Sequence, residues 1–547
     1  MSDYTLADVL SGDAPGESNL PAGVETARLR PLMQSCAAQL TDAGYAASSA
    51  VRAYWVPGRI EVLGKHTDYA GGQSLLMAAG RGLAVLACDR DDVVLDAMVA
   101  GAGREAIAIS PELIVTPGGW RNYPMTVARR LMRNFGTLSG CAAAIAGDLP
   151  PASGMSSSSA MLIGFYLALA DRNALAARDT FARAIHGPQE LAEYLSCAEN
   201  GNGFGPLAGD RGVGTAGGSE DHTAILCCRA GELGRYNFAP LRALGSVPLA
   251  DDLAFAVGVS GVTAVKTGGA MADYNRAAAI ARAAVEAWNR ATGRSDANLG
   301  AALASAPGAT EAVREVLAGS AYADLPRQAR FTSAQLAGRF EQFQAECRIV
   351  EDVAAALGAD ASLGAASLGA AALGAEASLR AEADLIARRA SSGDSRGADR
   401  GAAQGLRADQ SAIDQERLRL RARIGELVDR SQELAERYLG NQVAQTIELA
   451  RSARRLGAVA ASAFGAGFGG SVWAMVSTKT LGGAAQFTAD RANVGRTGAD
   501  RVIADRVNDG GEAFLAQWRA QYVQRFSQQA DACEFFITTP AGAAARL

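Results

Sequence analysis

The sequence predicts an α/β chain of two domains with insertions. Three observations carry that expectation. The 547 residues, 49% of them hydrophobic, exceed what one ordinary core organises. Strand-like and helix-like stretches alternate through the first half while helices gather in the second. Short glycine and serine loops sit beside apolar elements at several points along the chain.

Taken in order, 51–63 mixes β-branched and aromatic residues around Pro57-Gly58 and reads as two short strands, or as one strand entering a tight loop. Residues 81–89 and 95–99 read as strands, and 120–135 as a helix with Pro124 in its first turn. LPPASGMSSSSAMLIGFYLALADRNALA reads as a loop opening a buried helix, with Ser156 to Ser159 at its start. A helix at 178–200 and a glycine-rich loop at 201–218 precede SEDHTAILCC, which leads into an expected strand. Beyond a strand at 253–259, helices are expected at 270–292, 333–357, 416–438 and 440–456. The loop AFGAGFGG then feeds a strand, and 534–538 closes the fold. Leucines at 357, 363, 368, 373 and 379 match neither a helix nor a heptad, so 357–415 reads as a low-complexity insertion that deletion would leave harmless. A smaller polar insertion is expected at 487–511. The domains are expected at 1–250 and 251–547, the second carrying the longer insertion.

The net charge of −5 with no basic stripe gives nucleic acid or an anionic membrane nothing to recognise. The polar, acidic N-terminus has no secretory pattern, and no apolar run is long enough to span a bilayer. A soluble cytoplasmic chain, monomeric or a small homo-oligomer, is expected. Eight cysteines without a C-x-x-C pair and only three histidines argue against a zinc framework and for buried free thiols.

Four segments carry chemistry. PGRIEVLGKHTDYAGG, 57–72, concentrates Arg59, Lys65, His66, Asp68 and Tyr69 in a polar loop, which suits a polyhydroxylated ligand or is solvated surface. PPASGMSSSSAM presents backbone N–H groups at a helix start, a place for phosphate oxygens, or simply caps a buried helix. It lacks the lysine of a Walker loop. GAGFGG at 465–470 fits G-x-G-x-x-G, but a strand rather than a helix follows, so a loop packed on a ligand or another backbone is the better reading than a dinucleotide site. GVGTAGGSEDHTAIL places Asp221 after a glycine run, where a carboxylate kept ionised by a basic partner could orient or deprotonate a hydroxyl.

In this order the four segments resemble the galactokinase family of the GHMP kinase superfamily. GRIEVLGKHTDY is similar to the family's sugar loop G-R-x-N-[LIV]-I-G-E-H-x-D-Y, PASGMSSSSA to its phosphate loop, and SEDH to the M-D-Q segment with the catalytic aspartate. GAGFGG matches the family loop letter for letter. Weaker likenesses, among them WRNYP and SGVTAVKTGGAMADYNRA, extend the resemblance over roughly 25–350 and 416–540.

The resemblance implies a two-domain GHMP kinase fold with the active site between the domains. The implied activity is ATP-dependent phosphorylation of a monosaccharide, foremost galactose to galactose 1-phosphate, with ATP and Mg²⁺ bound. By position, Asp221 is the implied base and Arg59 its partner. Lys65, His66, Asp68, Gly218 and Tyr274 are implied to contact sugar, while Gly154, Met155, Ser156, Ser157, Ser158 and Ser159 hold ATP. Ser158 and Glu199 are the implied Mg²⁺ ligands.

Three departures stand out: Glu61 for the family asparagine, Lys65 for a glutamate, and His222 for a glutamine. Lys65 either reads an acidic or phosphorylated sugar or pairs with Glu61. His222 either adds pH sensitivity or is a bland core histidine. A non-catalytic sugar- and ATP-binding regulator and a nicotinamide-dependent oxidoreductase are the readings from other classes.

Overall fold

The computed structural model describes residues 4–15, 20–115, 118–215, 217–263, 269–319, 331–389, 399–465, 467–477 and 498–547, with side chains left out at 269–274, 367–389, 399–409 and 498–510. The strands fall into two sheets, as a mixed α/β chain requires. The first holds β1 (Tyr4–Thr5), β2 (Ala50–Leu63), β3 (Gln73–Asp89), β4 (Val94–Val99), β5 (Gly103–Ala108) and β6 (Cys141–Gly147) in the order β1-β2-β3-β6-β4-β5. β7 (Glu232–Asn237) joins β3 and carries β8 (Arg242–Pro248). The second sheet contains β9 (Leu253–Val259), β10 (Ala460–Phe464), β11 (Ser471–Ser477) and β12 (Glu534–Thr538), all antiparallel, in the order β10-β11-β9-β12. The C-terminal β13 (Ala545–Arg546) returns to pair with β2.

The first sheet is covered on both faces, which is why β2 reads as a nearly unbroken apolar run. Helices α1 (Leu6–Ser11) and α2 (Thr26–Asp42) pack on Val51, Ala53 and Trp55. Tyr54, Val56 and Ile60 turn the other way, into a core shared with α3 (Asn122–Phe135) and α4 (Ser157–Arg172). Side chains two apart share a face, so both faces need apolar residues. Pro57-Gly58 does not break the strand. It marks a register shift between Pro57 and Arg59, followed by another between Glu61 and Leu63, and such bulges re-aim side chains at functional sites.

Helices α5 (Asp179–Ala182), α6 (Pro188–Asn200) and α7 (Glu220–Cys227) complete the first half. α7 corrects an expectation: SEDHTAILCC is helical, with Glu220 and Asp221 in the first turn. Acidic residues there complement the helix dipole, a start signal that the short apolar run TAIL concealed.

The second half supplies α8 (Gly269–Thr292), α9 (Leu299–Leu303), α10 (Ala309–Ala318), α11 (Ser333–Arg389), α12 (Asp399–Leu434), α13 (Ala444–Arg455) and α14 (Gly498–Arg525). Leu449 and Ala453 of α13, with Phe514 and Trp518 of α14, back the second sheet. Residues 357–389 and 399–415, read from the sequence as a low-complexity insertion, are helical continuations of α11 and α12. Alanine favours helix without marking a core face, so the missing period hid the element. Of the polar insertion expected at 487–511, residues 487–497 lie outside the described residues and 498–511 are helical, opening α14.

α11, 57 residues long, and α12 run antiparallel. At their base, Arg417 and Arg421 share Asp252 and the fully buried Asp360, with Arg417 Nε at 2.9 Å and Arg421 Nη2 at 2.9 Å from Asp360. Burial pushes the Asp252 carboxyl up, but the Arg421 and Arg417 guanidiniums outweigh this and bring it down to about 2. Removing one partner of a buried ionic cluster strands the rest. Asp360→Ala is therefore expected to lower the unfolding free energy by about 3 kcal/mol, measured by urea denaturation. Excising 357–415 removes Asp360 and should cost soluble protein, whereas excising 370–405 and closing it with a short turn should leave a cooperative thermal transition; an equal response to both cuts would refute the anchor.

Candidate active site

A cleft opens where β2 and its following loop meet α4, α6 and α7. Arg59 is its most connected side chain. It is 4% exposed, its backbone N–H donates to Met155 O at 3.0 Å, and Nη1 donates to Gly154 O at 3.1 Å. Nε donates to Asp221 Oδ1 at 2.7 Å and Nη2 bonds the same oxygen, while Glu220 Oε1 lies 3.7 Å from Nε. Burial pulls the guanidinium down, but Asp221, Glu220 and Glu61 together hold it above its ordinary value.

Ser159 Oγ donates to Glu199 Oε2 at 3.0 Å and lies 3.5 Å from Asp221 Oδ2. His222 Nε2 is 3.1 Å from Glu199 Oε2. Ser159, not Ser158, therefore faces the two carboxylates. Ser158 turns to the Tyr123 phenol. Helical periodicity decides this, since neighbouring positions at a helix start point about 100° apart. Among the described residues no three His, Cys, Asp or Glu side chains form a metal cluster. A Mg²⁺ ion needs only one or two carboxylates when phosphates supply the rest, and the Glu199 and Ser159 oxygens are suitably hard donors.

The serine and glycine loops touch backbone to backbone. A methyl group on Gly154 would lie 3.1 Å from Phe464 O, and one on Gly465 would lie 3.0 Å from Gly154 O. Ser471 Oγ donates to Ser153 O at 2.7 Å. The glycine loop joins two antiparallel strands, so its G-x-G-x-x-G spacing serves this close approach and not a strand-to-helix dinucleotide turn. Ser156, the residue before α4, has φ 60°, a left-handed backbone that aims the start of the helix.

On the sugar-loop side, His66 also has a left-handed backbone, with φ 59°. Asp68 packs against Gly218, where an added Cβ would meet Asp68 Oδ2 at 2.2 Å; burial pushes the Asp68 carboxyl up. Lys65 does not reach the cleft. It is 2% exposed and its Nζ donates to Ser431 Oγ at 3.1 Å, behind the sugar loop. Glu346 Oε1, which accepts from the backbone N–H groups of Gly64 and Lys65, also accepts from Ser431. Among the described residues the Nζ partner is thus Ser431 and not Glu61. Glu61 does line the cleft, and burial pushes it up to about 7 against the pull of Arg59 and Lys65. Glu220, also buried, is raised too, by burial first and then by the charge of Glu61.

Residues 44–88 match the galactokinase galactose-binding signature, and 122–203 match the GHMP kinases N terminal domain. Over these two stretches the chain resembles galactokinases of the GHMP kinase superfamily. It is 34% identical over 105 residues to a galactokinase of Roseiflexus sp., 19% of this chain and 27% of that one. It is 30% identical over 178 residues to a galactokinase of Streptomyces coelicolor, 32% of this chain and 41% of that one. The chain thus spans about a quarter to two-fifths of the length of these relatives. Lactococcus lactis galactokinase complexed with galactose shares the fold, with a TM-score of 0.58 at 18% identity, covering 91% of this chain and 95% of that one.

Within this galactokinase-like frame, the sugar-loop match contains Arg59, Lys65, His66 and Asp68, and the N-terminal-domain match contains Gly154 to Ser159 and Glu199. Asp221 and Gly218 lie outside both matched ranges, and the structure brings them into the same cleft. Tyr274 lies on α8, but its side chain is outside the described residues. No local pattern marks Ser159 as the hydroxyl between Glu199 and Asp221, or Arg339 and Asn441 as lying behind His66. Glu220 was equally hidden, because the helix whose first turn it occupies is not legible in SEDHTAIL.

Two outcomes follow from this geometry. Gly218→Ala forces Asp68 aside and is expected to raise KM for the sugar while the thermal transition stays within a few degrees, checked by steady-state kinetics and calorimetry. Glu61, raised on folding, contributes stability below its unfolded value of ~4.3 that is lost as pH rises through about 7. Relative to the native chain, Glu61→Gln should therefore gain unfolding free energy between pH 5 and pH 8.5; a pH-independent difference would contradict the buried carboxyl.

Proposed function

We propose that the chain phosphorylates galactose with ATP, at the anomeric hydroxyl. The observation that carries this reading is the pairing of buried Arg59 with half-buried Asp221 in a cleft lined by the sugar loop and by Ser159 of the serine loop. In it, Arg59 occupies Oδ1 and holds the aspartate ionised, and Oδ2 is the oxygen that receives the proton of the attacking hydroxyl. The N-terminal turn of α4 directs backbone N–H groups at the ATP phosphates. Glu199 and Ser159 would hold Mg²⁺, which when bound would neutralise the charge of the phosphates. The chain's own part is positioning: His66, Asp68 and Gly218 fix the sugar, and Arg59 stabilises the transferring phosphoryl. In this reading the domains divide near residue 250, each built on one of the two sheets, and the protein works in the cytoplasm.

An acidic sugar is disfavoured. Lys65, the cation that would have selected it, is turned away, and the cleft wall carries Glu61, Asp68, Glu199, Glu220 and Asp221. A substrate carboxylate there would meet like charges.

Coupled ADP release with Mg²⁺·ATP is expected on galactose and not on galacturonate, glucuronate or hexose phosphates. Asp221→Asn should reduce kcat by about 10²- to 10⁴-fold. ATP and galactose binding without turnover would favour a binding regulator instead.

A further inference from the structure

The hydrogen bonds behind His66 run in one direction. The backbone N–H of Ala463 on β10 is a donor by constitution, and it reaches Gln432 Oε1 at 3.0 Å. This orients the Gln432 amide: its Nε2 faces Glu436 Oε1 at 3.1 Å and Gln442 Oε1 at 3.4 Å, both acceptors. Gln442 then turns its own Nε2 to Asn441 Oδ1 at 3.1 Å, and Asn441 is left to turn Nδ2 to His66 Nε2 at 3.2 Å. An amide N–H pointing at a ring nitrogen requires a lone pair there, so the neutral imidazole carries its proton on Nδ1. A doubly protonated ring would set N–H against N–H, close to the Arg339 guanidinium that bonds His66 O at 2.5 Å.

The proton on Nδ1 points at Tyr69 Oη, 2.9 Å away, and Arg339 Nη2 reaches the same oxygen at 3.3 Å. A phenol that already accepts from two donors has its own O–H to give. Tyr69 is only half-buried and lines the cleft.

We propose that Asn441 is a positioning residue that, through the tautomer of His66, commits Tyr69 Oη to donate a hydrogen bond to a hydroxyl oxygen of the substrate. The identity of that acceptor rests on the sugar-kinase reading; the direction of the chain does not. The consequence is a specificity element built from polarity. An oxygen with a lone pair is accepted at that position, and a group with nothing but protons to offer is rejected. The same asparagine holds the glycine loop through its main chain, Asn441 O accepting from Phe468 N at 2.5 Å. Asn441→Asp keeps that contact and the side-chain shape while reversing the polarity seen by His66.

The three histidines make the ring directly observable in ¹⁵N-histidine-labelled full-length protein, with His66→Gln assigning its signals. The native chain is expected to show His66 as the Nδ1–H tautomer, and Asn441→Asp to place a proton on Nε2. In turnover, Tyr69→Phe and Asn441→Asp should each raise KM for galactose about tenfold, with the double variant no worse than Tyr69→Phe alone. One of a series of monodeoxygalactoses should erase the difference between native chain and Tyr69→Phe. An Nε2–H ring in the native protein would overturn the proposal, as would a KM unmoved by Tyr69→Phe. A chain that turns over no sugar would instead count against the kinase reading, and the nitrogen spectrum would still decide the relay.

Discussion

The guanidinium of Arg59 is the constraint on which the site depends. It is buried where a bulge breaks the register of β2, and from there it reaches the serine loop through Gly154 O and the α7 helix through Asp221. A buried cation must be matched by acceptors or it is expelled to water. The matching therefore forces three segments, separated by roughly a hundred residues each way, to meet at one point. Remove the charge and the three segments lose the side chain that joins them.

Near that point the serine and glycine loops meet by main-chain contact. The glycine and serine loops lie too close for side chains, with Gly154 and Gly465 each facing the other segment's carbonyl oxygen. Glycine at these positions is a steric requirement of packing loop on loop. Farther out, the α11–α12 hairpin fastens the back of the sugar loop: Glu346 takes the Gly64 and Lys65 amides, Gln342 bonds Lys65 O, and Arg339 bonds His66 O. Elements far apart in the chain thus hold the loop in a conformation, including the left-handed His66, that it would not keep alone.

Charge in the cleft is unusually one-sided. Glu61 and Glu220 stand behind the Arg59–Asp221 pair, both driven up by burial, so the surplus of carboxyl groups is carried partly as protonated acid. Lys65 contributes its field to Glu61 from behind without entering the cleft. The Glu61 and Lys65 departures from the family pattern therefore remodel the support of the sugar loop more than its ligand face.

The sequence by itself indicated the strands at 51–63, 81–89, 95–99, 253–259 and 534–538 and the serine-headed α4, because each carries its own local pattern, while Arg59, His66, Asp68, Glu199 and Asp221 were implied together only by the resemblance to galactokinases. It misread α7, where a four-residue apolar run looks the same in a strand or a helix, and the 357–415 tract, where alanine builds helix without a periodic face. What only the tertiary structure decided was direction. Whether Ser158 or Ser159 meets Glu199, whether Lys65 enters the cleft or leaves it, and which nitrogen of His66 bears the proton are set by partners that lie tens to hundreds of residues away. No local pattern encodes them, because a hydrogen bond's polarity is decided by the group at its far end.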